Sequence, residues 1–345
     1  MAEFVLSPCM ISSGQFRSSS YFPQINLLRG IAAVMVSIFH YIYFTGKEGT
    51  LFYEQGMTHA IGTYGCQGVY IFFVISGFVI PLSMHKGNYR IPLIGKFLLK
   101  RSIRIEPPYL ASMVVILLIS SYFAHIWNLP YPFDLTKVLL HIGYLIPFTG
   151  GKYEWYNILY WTLAVEFQYY LAMAFLYPLL SHKNRSWRYL VLLLFLFAPL
   201  LYTNPAFLPL FAPCFLLGFV LFLFYTGKME TPEMLIWLLA AGTMNYFYRD
   251  PSVIISTTIA FFFIWKIRTD TWVGNRLGDI SYSYYLMHGI IGSNFLFFYS
   301  SVYDSYPVKI ALVLSAILIS IMLSTLFWWL IERPSKNWSH RIKLH

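Results

Sequence analysis

The chain has 345 residues, of which 58% are hydrophobic and only 11% charged, against about 25% charged in an ordinary soluble domain. With a mean hydropathy of +0.60, this excludes a soluble globular fold. The net charge of +10, which would suggest a nucleic-acid partner in a soluble chain, reads here as membrane orientation, with no nucleic acid involved.

A bilayer is crossed by about 20 mostly apolar residues. Such stretches occur at 26–44, 66–84, 107–126, 158–180, 187–203, 207–226, 233–248, 252–266, 279–299 and 307–330. They predict an all-α polytopic membrane protein, a bundle of about ten transmembrane helices, with residues 21–338 as one integral-membrane domain. Residues 1–20 are polar and Ser-rich and read as a flexible cytoplasmic tail, and 339–345 as a cytoplasmic C-terminal tail. The longest loop is 127–157, within which 135–147 suits an interfacial amphipathic helix. The seventh and eighth stretches are short, which fits tilted or broken helices. Tyr and Trp favour the headgroup level, which accounts for part of the 20% aromatic content. Cys9, Cys66 and Cys214 form neither a metal-ligand spacing nor a disulfide framework, so no metal is required.

Orientation follows from the basic residues. With the N-terminus cytoplasmic, only Lys47, Lys137, Lys152, Arg249 and Lys309 of the 24 Lys and Arg fall on the outer side. Cytoplasmic loops carry the excess of Lys and Arg, so both termini are expected in the cytoplasm.

Ionisable groups inside a membrane are costly and mark interior sites. Arg29 and His40, on the first span, share a helical face about 16 Å apart along the axis. His40 suits either a general base or a histidine bonded to a neighbouring helix. Glu166, in the fourth span, lies about 13 Å below the outer surface and is either functional or an interhelical bridge. Ser281, Tyr284 and His288 share one face of the ninth span, which predicts an inward polar stripe with His288 level with Glu166; a plain packing seam is the competing account. Arg101 and Arg104, a turn apart before the third span, suit phosphate recognition or ordinary anchoring. Ser76 and Gly77 permit close helix contact.

Taken in order, these segments resemble the acyltransferase 3 family of bacterial integral-membrane enzymes. The resemblance rests on Arg29 and His40 with ten residues between them, Gly68 to Phe78, Arg101-x-x-Arg104 with Pro107, Trp161-Thr162-Leu163 with Glu166, Ile280 to His288, and Glu332-Arg333-Pro334. It covers about residues 21–338 and departs at Tyr70, where the family often carries Asp. Many relatives also carry an esterase-like domain after the membrane part, so this chain resembles the stand-alone form.

The resemblance implies O-acylation, usually O-acetylation, of a carbohydrate at the bacterial inner (cytoplasmic) membrane. Acyl-CoA, above all acetyl-CoA, would be the cytoplasmic donor substrate, with no permanently bound cofactor. The acceptor would be a cell-surface or exported saccharide such as lipopolysaccharide O-antigen or exopolysaccharide, lipid-linked forms included. Arg101 and Arg104, with Arg29, would hold the CoA phosphates. His40 would take the proton of an acceptor hydroxyl or carry the acyl group transiently. Glu166 and His288 would orient it or stabilise developing charge, supported by Ser76, Gly77, Trp161, Ser281 and Tyr284. A homo-oligomer is compatible with this reading. Two other classes compete. Buried His, Glu and Arg are equally at home on the ion paths of a transporter or flippase of a saccharide precursor, but that class would show an internal repeat and has no use for the arginine pair. A membrane scaffold or sensor leaves the buried ionisable groups without a role.

Overall fold

A backbone in hydrocarbon must satisfy its own N–H and C=O groups, which a helix does within one segment. The computed structural model, which describes residues 22–43, 56–299 and 305–344, is accordingly helical, with no strand among those residues. In chain order the helices are α1 (Gln24–Tyr43), α2 (Met57–Gly65), α3 (Gly68–Lys86), α4 (Ile94–Ile126), α5 (Leu135–Ile142), α6 (Tyr160–Leu180) and α7 (Arg185–Leu201). They continue with α8 (Ala212–Tyr225), α9 (Thr231–Tyr248), α10 (Pro251–Lys266), α11 (Trp272–His288), α12 (Asn294–Tyr299), α13 (Tyr306–Phe327) and α14 (Arg333–Arg341).

Each of the ten apolar stretches read from the sequence falls on one helix or on consecutive helices. Among the described residues, six helical segments are long and apolar enough to cross a membrane: Gln24–Tyr43, Met57–Lys86, Ile91–Ile126, Tyr160–Leu180, Leu208–Tyr225 and Tyr306–Arg341. Pro251–Lys266 is apolar but shorter. The tail expected over 1–20, with Cys9, and Lys47 in the first loop lie outside the described residues.

One boundary differs from the sequence reading. Helix α4 does not begin at Pro107 but runs through Pro107 and Pro108 from Ile94. Proline removes an intrahelical bond, yet packing against neighbouring helices sustains such a turn in a membrane. Here the Tyr282 hydroxyl donates to the Ile105 carbonyl at 3.0 Å. The extension carries Arg101 and Arg104 on the helix itself rather than in a loop before it.

Two helix pairs fix the frame. Helices α1 and α11 run parallel, tied by Asn26 Nδ2 donating to Asn275 Oδ1 (3.1 Å), Ser37 Oγ 2.7 Å from the Tyr284 hydroxyl, and the Tyr41 hydroxyl donating to the His288 carbonyl (3.1 Å). Helices α3 and α8 meet backbone to backbone at Gly77, where an added Cβ would lie 2.2 Å from the Phe215 carbonyl oxygen. Small residues at such crossings let membrane helices approach closely.

The aromatic excess is only partly interfacial. Tyr41, Tyr109, Tyr160, Tyr169 and Tyr284 are fully buried in the bundle, and each hydroxyl has a partner within it, such as Ser112 Oγ for Tyr160 at 2.8 Å. Buried tyrosine suits this solvent, because its ring packs like Phe while its hydroxyl closes a hydrogen bond. The chain end also packs: Ser339 Oγ donates to the Lys100 carbonyl at 2.8 Å, and Leu344 is buried.

Candidate active site

Five helices, α1, α3, α4, α6 and α11, together with the segment at Glu332 and Lys336, enclose a cavity of about 1090 Å³, its mouth included. Arg29, Arg101, Arg104 and Lys336 line it, opposed by Glu166, Asp279 and Glu332. Lys336 is paired with Asp279 at 3.0 Å. The buried Glu332 carboxylate is held by the backbone N–H and hydroxyl of Ser283, at 3.0 and 2.5 Å. Glu166 accepts from Ser76 Oγ at 2.9 Å and from the Tyr170 hydroxyl at 2.5 Å.

The three arginines differ. Arg101 is buried, donates from Nη2 to Ser83 Oγ at 2.9 Å, and lies over the rings of Phe97 and Tyr170. Arg29 and Arg104 make no hydrogen bond or ion pair among the described residues. One guanidinium is therefore built into the wall, and two present free donors to the cavity. Fixed guanidinium forks match the oxygens of phosphate.

A second polar group lies farther along α1 and α11. The rings of His40 and His288 have centroids 5.4 Å apart. His288 is fully buried, and its Nδ1 lies 3.1 Å from the Tyr284 carbonyl. A carbonyl only accepts, so a neutral ring carries its proton on Nδ1 and its lone pair on Nε2. That Nε2 is buried without a hydrogen-bond partner. Directly after His288 the helix widens into a π-turn, Gly289–Ser293, a device frequent at functional sites. Gly292 in that turn leaves room for the Tyr41 hydroxyl, which an added Cβ would meet at 2.1 Å.

The candidate residues thus separate into two groups. Arg29, Arg101, Arg104, Glu166, Ser76 and Ser281 line the cavity, whereas His40 and His288 do not. Glu166 and His288 are not level: the Leu286 carbonyl takes a hydrogen bond from Asn157, which precedes α6, whereas Glu166 lies about 9 Å inside that helix. The expected stripe also divides. Ser281 faces the cavity, while Tyr284 turns to Ser37 on α1 and stacks on His288. Gly77 serves the α3–α8 contact, and Trp161 lies against Phe211 with centroids 5.4 Å apart.

Sequence reasoning missed Tyr170, Tyr282, Tyr285, Asp279 and Lys336 as cavity residues. Tyr285 was recoverable, since it lies four residues from Ser281 on the same helix face. Among the described residues no three His, Cys, Asp or Glu side chains converge as a metal-ligand set.

A family model described as an acyltransferase domain matches residues 22–333, nearly the whole chain. No curated protein and no solved structure matches it.

Proposed function

We propose that this chain, which belongs to the acyltransferase domain family and is a membrane acyltransferase, moves an acyl group from cytoplasmic acyl-CoA to a hydroxyl of a cell-surface or exported carbohydrate. Family membership sets aside the carrier and scaffold readings. In this reading the bundle crosses a bacterial inner membrane about ten times, with both termini in the cytoplasm and the arginine-lined cavity open to the donor pool.

The observation that carries the donor assignment is the gathering of Arg29, Arg101 and Arg104 around one cavity, two of them with no protein partner among the described residues. Each charge-assisted hydrogen bond to a CoA phosphate is worth about 1.5–3 kcal/mol. With the phosphates held there, the pantetheine arm runs along α3 and α11 toward the histidine pair. His40, with His288 beside it, takes the proton of the acceptor hydroxyl as the oxygen attacks the thioester carbonyl. The C–O bond forms, the C–S bond breaks, and the departing CoA thiolate takes up the proton. Glu166, fixed by Ser76 and Tyr170, balances the arginine charge between the two groups.

The test uses inverted membrane vesicles holding the protein, incubated with radiolabelled acetyl-CoA. Label should pass into lipid-linked or polymeric saccharide with the wild type and not with His40→Ala, and Arg104→Ala should demand more donor. Transfer that survives His40→Ala at normal protein level would remove His40 from the chemistry. Absence of CoA binding by the folded wild type would remove the donor.

A further inference from the structure

The arginine end of the cavity is closed by a two-rung ladder. On α11, Asp279 and Ser283 stand one turn apart, and across the junction of α13 and α14, Glu332 and Lys336 do the same. Ser283 holds the Glu332 carboxylate from its backbone N–H and hydroxyl, at 3.0 and 2.5 Å, and Asp279 meets Lys336 Nζ at 3.0 Å. The rungs differ in burial. Glu332 is 8% exposed, whereas the Lys336 and Asp279 side chains are 34% and 37% exposed. All three line the cavity, so the ion pair is the outer rung and stands at the mouth.

Helix α4 fixes the level of Lys336. The Lys100 carbonyl accepts from Ser339 Oγ at 2.8 Å, and Lys100 Nζ donates to the Ile342 carbonyl at 3.0 Å. A helical side chain leans toward its own N-terminus, whereas the carbonyl points the other way, so these two contacts set α14 antiparallel to the start of α4. Lys336 then lies about 4.5 Å inward of Ser339 and Arg104 about 6 Å inward of Lys100. Both face the cavity, level with each other at its mouth.

The outer rung is built to exchange. An ammonium has three donors, and among the described residues Lys336 uses one, on Asp279. A partly exposed ion pair of this kind adds little stability, so replacing the carboxylate by another anion costs the fold little. CoA carries such an anion. Its diphosphate joins pantetheine to adenosine, and its 3′-phosphate sits on the ribose, farther from the thioester. With the diphosphate on Arg29 and Arg104, the 3′-phosphate meets the outermost cation of the cavity.

We propose that Lys336 recognises the 3′-phosphate of the donor, leaving Asp279 to do so, and makes the enzyme selective for CoA esters over dephospho-CoA esters. The inference rests on the acyl-CoA reading above and adds the residue that reads the nucleotide end. No covalent bond changes in this exchange. Asp279 holds the ammonium at the mouth between donors, and the more highly charged phosphate takes it over. A compact point charge suits this terminal phosphate, while the guanidinium forks suit the diphosphate deeper in.

The experiment measures kcat and KM for acetyl-CoA and acetyl-dephospho-CoA in inverted vesicles with wild type, Lys336→Met, Lys336→Arg and Asp279→Asn. The ratio of two KM values on one preparation does not depend on how much protein folds. Wild type should show a KM for the dephospho ester about 10- to 100-fold higher, as loss of a charge-assisted hydrogen bond implies, with little change in kcat. Lys336→Met should bring the two KM values to within about threefold by raising that for acetyl-CoA alone, and Lys336→Arg should restore most of the preference. Asp279→Asn should keep the preference and lower the KM for acetyl-CoA by up to about fivefold, the scale of an exposed ion pair. For a variant that transfers nothing, displacement of labelled CoA by CoA and by dephospho-CoA gives the same ratio. Equal KM values in wild type overturn the proposal. So does a preference that survives Lys336→Met, including the case in which both KM values rise alike, which marks a structural lysine. Wild type that binds neither ester overturns the donor reading as well, whereas acetyl transfer from both at equal KM overturns the assignment of Lys336 alone.

Discussion

The two polar regions inside this bundle are built on opposite terms. The cavity gathers seven Arg, Lys, Asp and Glu side chains from helices far apart in sequence, and two of its arginines carry no partner among the described residues. The histidine region differs: among the described residues, the hydrogen-bond and ring partners of His288 include no Asp, Glu, Lys or Arg. Its groups are imidazoles, the hydroxyls of Tyr41, Tyr284, Ser37 and Ser320, and backbone carbonyls. An open set of cations suits a polyanion that arrives and leaves. A neutral, hydrogen-bonded shell suits a base that must keep its lone pair. The proposed reaction needs both, and they touch at Tyr285, which lines the cavity and has its ring centroid 6.0 Å from that of His288.

If the regions divide the work in this way, mutations should separate binding from chemistry. The largest effect is expected for His40→Ala, which should lower acyl transfer by about 100- to 10,000-fold, the usual contribution of general acid–base catalysis. Displacement of labelled CoA should barely change. Loss of both together would mean that the regions act as one site. Next come Arg29→Ala and Arg104→Ala, each expected to raise the KM for acyl-CoA by about 10- to 100-fold, as removal of a charge-assisted hydrogen bond implies. Titration with salt should show a shallower dependence in these variants than in wild type, because fewer screened contacts remain. Arg101→Ala should differ from both. Its guanidinium is bonded to Ser83 and packed on Phe97 and Tyr170, so the yield of folded protein should fall along with binding.

The sequence allowed the helices and the cavity's arginines to be read, but not the partition between the regions. Arg29, Arg101, Arg104 and Glu166 stood out because a charge in an apolar stretch is conspicuous whatever the fold. His40 and His288 stood out for the same reason, and the resemblance placed all six together. Which of them share a compartment depends on the register between α1 and α11 and on the depth of α6, and helical periodicity fixes neither. The polar stripe divided because Ser281 and Tyr284, three residues apart, still point about 60° apart around the helix, and the boundary between cavity and α1 falls between them. The tyrosines were hidden for another reason. In a chain with 28 of them, nothing local distinguishes one at the headgroup level from one that lines a cavity.

A smaller effect separates packing from function. Gly77→Ala should destabilise the bundle by about 1–3 kcal/mol, the usual cost of overpacking, because the new methyl meets the Phe215 carbonyl. Thermal unfolding in detergent should shift down, while the KM of the surviving protein stays near wild type. A raised KM with unchanged unfolding would instead bring Gly77 into the donor site.

The smallest effect compares two buried histidines. His141 on α5 and His288 on α11 are both fully buried, but His141 has used both nitrogens. Its Nδ1 donates to the Lys137 carbonyl at 2.7 Å, and its Nε2 accepts from the Tyr156 backbone N–H at 3.0 Å. Burial holds the His141 imidazole below its ordinary value of 6.5, an effect that its bond to the Lys137 carbonyl partly opposes and the charge of Lys137 reinforces. The unfolded segment therefore takes up a proton more readily than the folded one. Its local stability should be full above about pH 6.5 and fall as the pH drops below it. Protonation at Nε2 would also remove the acceptor for Tyr156. The hydrogen-exchange protection of α5 and residues 153–157, taken relative to the intrinsic exchange rate at each pH, should fall between about pH 6.5 and pH 5 and stay level above about pH 7, and His141→Gln should abolish the dependence. A segment that stays protected through acid would mean that its lone pair is not what ties it down. His288 differs in the atom that matters: its Nε2 is left without a bond, beside His40, where the proposed chemistry needs it.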